Sequence, residues 1–376
     1  MQNVAQAWLV YRLTQSSFML GLVAFCGLFP VLLFSLVGGV VADRVNRHRL
    51  LILAHSLGLL QALVLAVITL GGWVQPWHII VLSSILGVLH AFEMPARHSF
   101  IADMVPREDL PNAIALNSSA FNIARFMGPF MAGVFVGWWQ EGPVFLINAV
   151  SFTAVLTGLL CMHVKPRDKT ASTGSALSHI REGLSFAWHQ PMIRAGLMIL
   201  SMFSIVGTSM TVLMPVFAHQ VFSGQSEVLG MLLGSMGIGA LTGAFILAYR
   251  STYHHLQVQI AAAGVVAGIC LMLFPWMRVL LTAMPLLAIF GFCQTILAAS
   301  INTLIQSLAP DQMRGRVMSI FSMVFIGLMP IGSLVSGYTA EKIGVDHTVL
   351  ILGQICLLVS IIFMIYVTRK SIAAQK

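Results

Sequence analysis

Apolar residues run through this chain in stretches of about twenty, separated by short polar turns. A membrane-crossing helix needs ~20 such residues, and the pattern predicts spans near 18–41, 51–71, 77–96, 112–138, 144–163, 195–218, 228–249, 257–275, 279–301, 316–339 and 347–368. The runs are continuous rather than alternating, which favours helices over the ten-residue strands of an outer-membrane barrel. Ahead of these eleven runs, MQNVAQAWLVYRL supplies 13 residues. At ~1.5 Å per residue they reach ~20 Å, against a hydrocarbon core of ~30 Å. We read this piece as an incomplete first helix, because neither a basic leader nor a small-residue cleavage site marks it as a signal peptide.

The longest polar interruption, 164–194, divides the chain into an N-terminal bundle at 1–163, a linker, and a C-terminal bundle at 195–376. A shift of 204 residues sets Pro106 on Pro310, Ser118 on Ser322, Phe121 on Phe325, Gly128 on Gly332 and Gly133 on Gly337, ungapped. Parallel repeats of this kind are a transporter architecture. Basic residues sort by loop: sixteen fall in the linker, the C-terminus and the loops after even-numbered helices, while Arg12, Arg278 and Lys342 fall opposite. By the positive-inside rule the crowded side is cytoplasmic, which places both termini of a complete chain there.

Composition agrees and narrows the class. Of 376 residues 58% are hydrophobic and 9% charged, with a mean hydropathy of +0.91. Soluble domains carry about 25% charged residues, so the chain is expected in a lipid bilayer. The net charge of +8 lies in the loops, as for a bilayer protein and not for a nucleic-acid binder. The 5 cysteines all lie in apolar segments without ligand spacing, so no metal or disulfide is expected. No G-x-x-x-x-G-K-[ST] loop occurs, nor H-E-x-x-H or G-x-S-x-G, which argues against an ATPase and against an intramembrane enzyme.

Polar residues inside the spans carry the functional reading. In NSSAFNIARFMGPFMAG, 117–133, Ser118, Asn122, Arg125, Pro129 and Gly133 share a stripe of roughly 80°. A charge in mid-membrane costs at least ~2.5 kcal/mol, so Arg125 should face protein or water. It is a candidate to meet an anionic substrate or a partner acid, beside Asn122. In the second copy Met329 replaces Arg125 and Ser333 replaces Pro129, so the cavity is expected to be positive on one wall and apolar on the other, suiting an amphipathic or anionic cargo. Gln294 and Asn302, eight apart on one helix, are candidate cavity residues. Gln6, His55, Asn117 and Gln354 read as interhelical hydrogen-bonders. His90 and Glu93 share a helix face ~24 Å beyond Trp77. Either Glu93 is a boundary acid paired with Arg97, or the two form a titrating pair for proton exchange.

The loop GGVVADRVNRHRL, 38–50, holds a single acid, Asp43, among Arg44, Arg47, His48 and Arg49. Gly39 would let the helix end pack closely, and Asp43 could latch one conformation by accepting hydrogen bonds from a helix terminus. The G-x-x-x-D-R-x-x-R-x-R run from Gly39 to Arg49 resembles the loop signature of the major facilitator superfamily, with Asn46 where glycine is usual. ARFMGPFMAG, 124–133, is similar to the motif of its drug and metabolite antiporters. EMPARHSFIADMV, NAIALNSS and WLVYRLTQSS resemble the branch of the enterobactin and macrolide exporters. The resemblance implies an all-α membrane protein of twelve helices in two six-helix bundles with pseudo-twofold symmetry, helix 1 being incomplete and roughly 30 residues lying upstream.

It further implies a monomeric secondary transporter of the bacterial inner membrane, exporting a siderophore or drug-like molecule by proton antiport and alternating access, with an ion gradient in place of any cofactor. Asp43, Arg44, Arg47 and Arg49 would close the cytoplasmic gate, and Gly39, Gly128, Pro129 and Gly133 would shape the moving helices. Two departures stand out. Ser83 occupies the place of an arginine that the family associates with proton coupling, and Leu247 replaces the acid in the second copy of the loop. A shortened first helix also leaves open a non-transporting, partner-binding remnant.

Overall fold

The computed structural model describes residues 1–106, 108–162, 176–249 and 256–375. Some side chains inside its helices, those of Asp43, Asn122 and Arg125 among them, lie outside the described residues. The chain divides into two compact units, Met1–Thr173 and Gly174–Lys376.

The first unit is built from α1 (Gln2–Thr14), α2 (Ser17–Arg44), α3 (Arg47–Leu70), α4 (Pro76–Met104), α5 (Leu110–Trp139) and α6 (Glu141–Cys161). The second holds α7 (Ala176–His189), α8 (Pro191–Val216) with a π-helical turn at Phe217–Val221, α9 (Ser226–Tyr249), α10 (Leu256–Leu273), α11 (Leu280–Leu308), α12 (Asp311–Gly327), α13 (Met329–Ile343) and α14 (Val345–Gln375). Among the described residues ten helical segments are long and apolar enough to cross a membrane, and no strand is present. Helix is the expected solution, since lipid offers no partner for a backbone N–H or C=O and a helix satisfies both within itself. Leu60, Val67, Phe245 and Leu281 point outward, exposed, as lipid-facing residues should.

Local chemistry sets the helix ends. Ser16 caps α2, its Oγ accepting from the Met19 N–H at 3.2 Å, and Asn46 caps α3, its Oδ1 accepting from the Arg49 N–H at 3.2 Å. Asn46 therefore has a use that glycine would lack. Three features depart from the spans read in the sequence. The linker contains a helix, α7, and α8 begins directly behind it at Pro191. α4 continues to Met104, which brings Arg97 onto the helix instead of a loop. The span expected at 316–339 is broken at Leu328, because Pro330 has no N–H to continue the ladder. The second repeat thus has a proline of its own, and it interrupts the helix, whereas Pro129 lies inside unbroken α5.

Within each unit a glycine lets two helices cross closely. A Cβ added at Gly87 of α4 would collide with the Gly27 carbonyl of α2, and one at Gly291 of α11 would collide with the Met236 carbonyl of α9. These two glycines are 204 residues apart, the offset of the repeat. Small residues let helix backbones meet where no hydrophobic effect drives them together.

Candidate functional site

Buried amides tie the first unit together. Gln2 donates to the Gln61 side chain at 3.0 Å, Asn148 donates to Gln2 at 2.6 Å, and Gln61 donates to the Leu82 carbonyl at 3.2 Å. Gln6 donates to Ser83 Oγ and, at 3.5 Å, to the Ile79 carbonyl, which also accepts from Ser83 at 2.7 Å. α1, α3, α4 and α6 are thereby joined by side chains that are almost fully buried: Gln2, Gln6, Gln61 and Ser83 are each 5% exposed or less. The small Ser83 leaves room for Gln6, so the place of the family's arginine is filled by a neutral bond to α1.

Toward the Met104 end of α4 the side chains become ionisable. Glu93 is 8% exposed, and its carboxylate lies 3.4 Å from the Arg97 guanidinium one turn along. His90 on α4 and His55 on α3 both lie within electrostatic reach of Glu93 and Arg97. The His55 ring also packs on Phe152 of α6, with centroids 5.9 Å apart. One buried carboxylate thus has a half-buried guanidinium beside it and two half-buried imidazoles within electrostatic reach, an arrangement able to hold or pass a proton.

At the end of the bundle, Arg47 donates through Nη1 to Asp103 at 2.9 Å and through Nε to the Ala42 carbonyl at 3.3 Å, clipping the ends of α2 and α4 to α3. His48 bonds the Leu159 carbonyl of α6 at 2.7 Å and stacks on Phe100. At the opposite end a two-pronged pair, Arg12 to Glu141 at 2.9 and 2.8 Å, ties α1 to α6.

The interior of the second unit is held by neutral groups, with ion pairs nearer its surface: Arg278 to Asp346 at 3.0 Å, and Arg316 to Glu182. Ser204 donates to the Phe325 carbonyl, just ahead of the break after α12, and Ser209 donates to the Gly332 carbonyl at 3.2 Å. Gln294 lies against Gly207 of α8, and Asn302 accepts from Gln306. Among the described residues no group of three or more His, Cys, Asp or Glu is arranged to hold a metal ion.

All 376 residues match the family described as transmembrane secretion effector. The chain belongs to this family, and so to the transporters of the major facilitator superfamily. Its relatives include a transporter and two efflux proteins. The staphyloferrin A transporter of Staphylococcus aureus is 28% identical over 369 residues, spanning 96% of this chain and 91% of that protein. The multidrug efflux pump Tap of Mycolicibacterium fortuitum is 25% identical over 96% and 90%. Macrolide efflux protein A of Streptococcus pyogenes is 22% identical over the same shares. Among solved structures, a mutant form of the nucleoside transporter NupG superposes with a TM-score of 0.71 at 16% identity, over 96% of this chain and 94% of that one. A bacterial homologue of the human lysosomal transporter Spinster gives 0.72 at 14%, over 98% and 92%. At these identities the structures speak for the fold alone.

Set on the family fold, the residues singled out in the sequence divide. Glu93 pairs with Arg97, and both His90 and His55, which the sequence had offered only as a hydrogen-bonder, lie within electrostatic reach of them. Arg47 finds an acid, Asp103, that spacing did not single out. Arg44 and Arg49 are exposed. Gly38, and not Gly39, makes the close approach: a Cβ on Gly38 would collide with the Ala91 carbonyl of α4, while one on Gly39 meets open space. Of the α5 stretch, Gly133 is buried and Gly128 and Pro129 are half-buried, while the side chains of Asn122 and Arg125 lie outside the described residues, as does that of Asp43. Gln2, Gln61 and Asn148 were missed as hydrogen-bonders. A buried amide inside an apolar run was the available signal, and only the fold showed that three of them meet.

Proposed function

We propose that this protein exports a small amphipathic or anionic organic molecule from the cytoplasm, driven by proton antiport and working by alternating access. The observation that carries the reading is Glu93, a buried carboxylate inside a membrane helix, set between His55, His90 and Arg97. Ionisable groups are costly inside a bilayer and are retained where they serve a pathway. Similarity over 90% or more of their length to multidrug and macrolide efflux proteins supports the direction of transport. In this scheme His90 and Glu93 serve proton coupling. Arg125 and Asn122 on α5 receive the cargo, with Gln294 and Asn302 as neutral cavity groups on the other bundle. Asp43, with Arg44, Arg47 and Arg49, closes the cytoplasmic gate.

The working unit is a monomer in the cytoplasmic membrane, with both termini of the complete chain inside, and bundles at 1–163 and 195–376 rock about the 164–194 linker. An ion gradient is the only energy source required, and neither nucleic acid nor a catalytic step enters. The test compares extracellular metabolites from cells of an exporter-deficient host carrying the parent or Glu93→Gln at equal membrane level. The parent is expected to export at least one compound in a protonophore-sensitive manner, with a loss of ~100-fold in the variant, the scale of removing an essential proton carrier. Equal, protonophore-insensitive export by both proteins would rule out the coupling assignment.

A further inference from the structure

The linker helix and the first turn of α8 frame a cavity of about 240 Å³ that the transport reading leaves unused, lined by Trp188, Pro191, Arg194, Ala195, Met198 and Tyr366. The Arg194 guanidinium carbon sits 5.4 Å from the Trp188 ring centroid, and no carboxylate among the described residues pairs with it. Both walls lie at the membrane boundary. Arg194 is in the first turn of the Pro191–Val221 span, and Tyr366 lies one turn before Arg369, the last residue of the Val345–Arg369 span. One turn deeper Met198 is exposed at 53%, so the pocket continues into an apolar, outward-facing strip.

α7 presents Leu184 and Trp188 outward on one stripe, while its opposite face is fastened to α12. Gly183 lies against the Arg316 carbonyl, and Glu182 pairs with the Arg316 side chain. A helix so placed lies in the interface plane with its aromatic edge at headgroup level.

We infer that this pocket is a binding site for the headgroup of an anionic phospholipid. The phosphate sits at Arg194, the glycerol backbone rests between Trp188 and Tyr366, and an acyl chain follows Met198. Size favours a headgroup over cargo, since drug-sized ligands occupy ~300–1,000 Å³. Charge favours an anionic lipid over a zwitterionic one, because the cation at the rim has no acidic neighbour to share. A lipid held here would pin α7 to the ends of α8 and α14, and so set how the linker rests on the membrane.

The test uses the purified full chain in detergent, titrated with dioleoyl phosphatidylglycerol or dioleoyl phosphatidylcholine and read by native mass spectrometry. A phosphatidylglycerol adduct is expected in preference to phosphatidylcholine. It should weaken ~10-fold in Arg194→Gln, as for one lost charge-assisted bond, and stay unchanged in Arg181→Gln, which alters an exposed cation on α7 outside the pocket. Equal adducts in parent and Arg194→Gln, an equal loss in Arg181→Gln, or displacement by inorganic phosphate would each overturn the assignment. A second measurement stands apart from any folding defect of Arg194→Gln. Phosphatidylglycerol brominated near the headgroup should quench the parent's tryptophan fluorescence more than brominated phosphatidylcholine, and Trp188→Phe should remove that excess. An undiminished excess in Trp188→Phe would sink the proposal.

Discussion

The two units solve the same packing problem with different chemistry. In Met1–Thr173 the helices are joined by carboxamides and charges: Gln2, Gln6, Gln61 and Asn148, then His55, His90, Glu93 and Arg97, then Arg47 with Asp103. In Gly174–Lys376 the buried contacts are serine hydroxyls on carbonyls and glycines against backbone, as with Ser204, Ser209, Gly291 and Gly332. The repeat therefore preserved the helix crossings and let their polar content diverge. A hydroxyl bonded to a carbonyl keeps one state at every pH, whereas a carboxylate among imidazoles has several. If one unit senses protons, this contrast assigns the task to the first, because the ion pairs of the second, Arg278–Asp346 and Arg316–Glu182, lie at its surface.

The contrast can be broken most forcefully at what the units share. Gly87→Leu and Gly291→Leu each drive a side chain into a facing backbone carbonyl, and both should cost more than ~3 kcal/mol, the upper range for overpacking. Membrane level of a fluorescent fusion and melting in detergent would read this, and one tolerant position would show that the crossings are not equivalent. The next effect lies in the amide lattice. Gln61→Leu removes the bond from Gln2 and the bond to Leu82, and should destabilise the protein by about 1–2 kcal/mol. A double-mutant cycle with Gln2→Leu should give a coupling well above zero, and additive losses would dissolve the lattice into independent contacts. The smallest effect belongs to the neutral half. Ser209→Ala should cost about 0.6 kcal/mol, the average for such bonds in membranes, and should leave transport unchanged between acid and neutral pH. A pH-dependent defect in that variant would end the division between a sensing and a silent half.

Much of this was legible beforehand because bilayer physics writes itself into long runs. The apolar spans, the polar linker and the 204-residue repeat need only the positions of apolar and small residues along the chain, and the glycines at 87 and 291 obey the same offset. The candidate site was less legible. His90 and Glu93 could be paired because three residues along a helix bring side chains together, but His55 is on another helix and no spacing relates it to them. Gly39 was preferred to Gly38 from its place in a motif. The face each presents depends on the rotation of α2 against α4, which no local run of residues encodes. α7 was hidden because its 14 residues are too few to cross a bilayer and polar ones are interleaved with the apolar.

That the chain crosses a membrane repeatedly as helices follows from the order of its amino acids, since that property rests on the transfer free energy of whole segments. Which polar side chains meet was settled at the tertiary level. Packing joined Gln2 to Gln61 and Asn148, brought His55 within electrostatic reach of Glu93, supplied Arg47 with its acid in Asp103, and set Arg194 over Trp188 with no acid among the described residues. A hydrogen bond or ion pair acts over about 3 Å, and residues distant in sequence reach that range only when helix rotation and crossing point are set by the packing of everything around them.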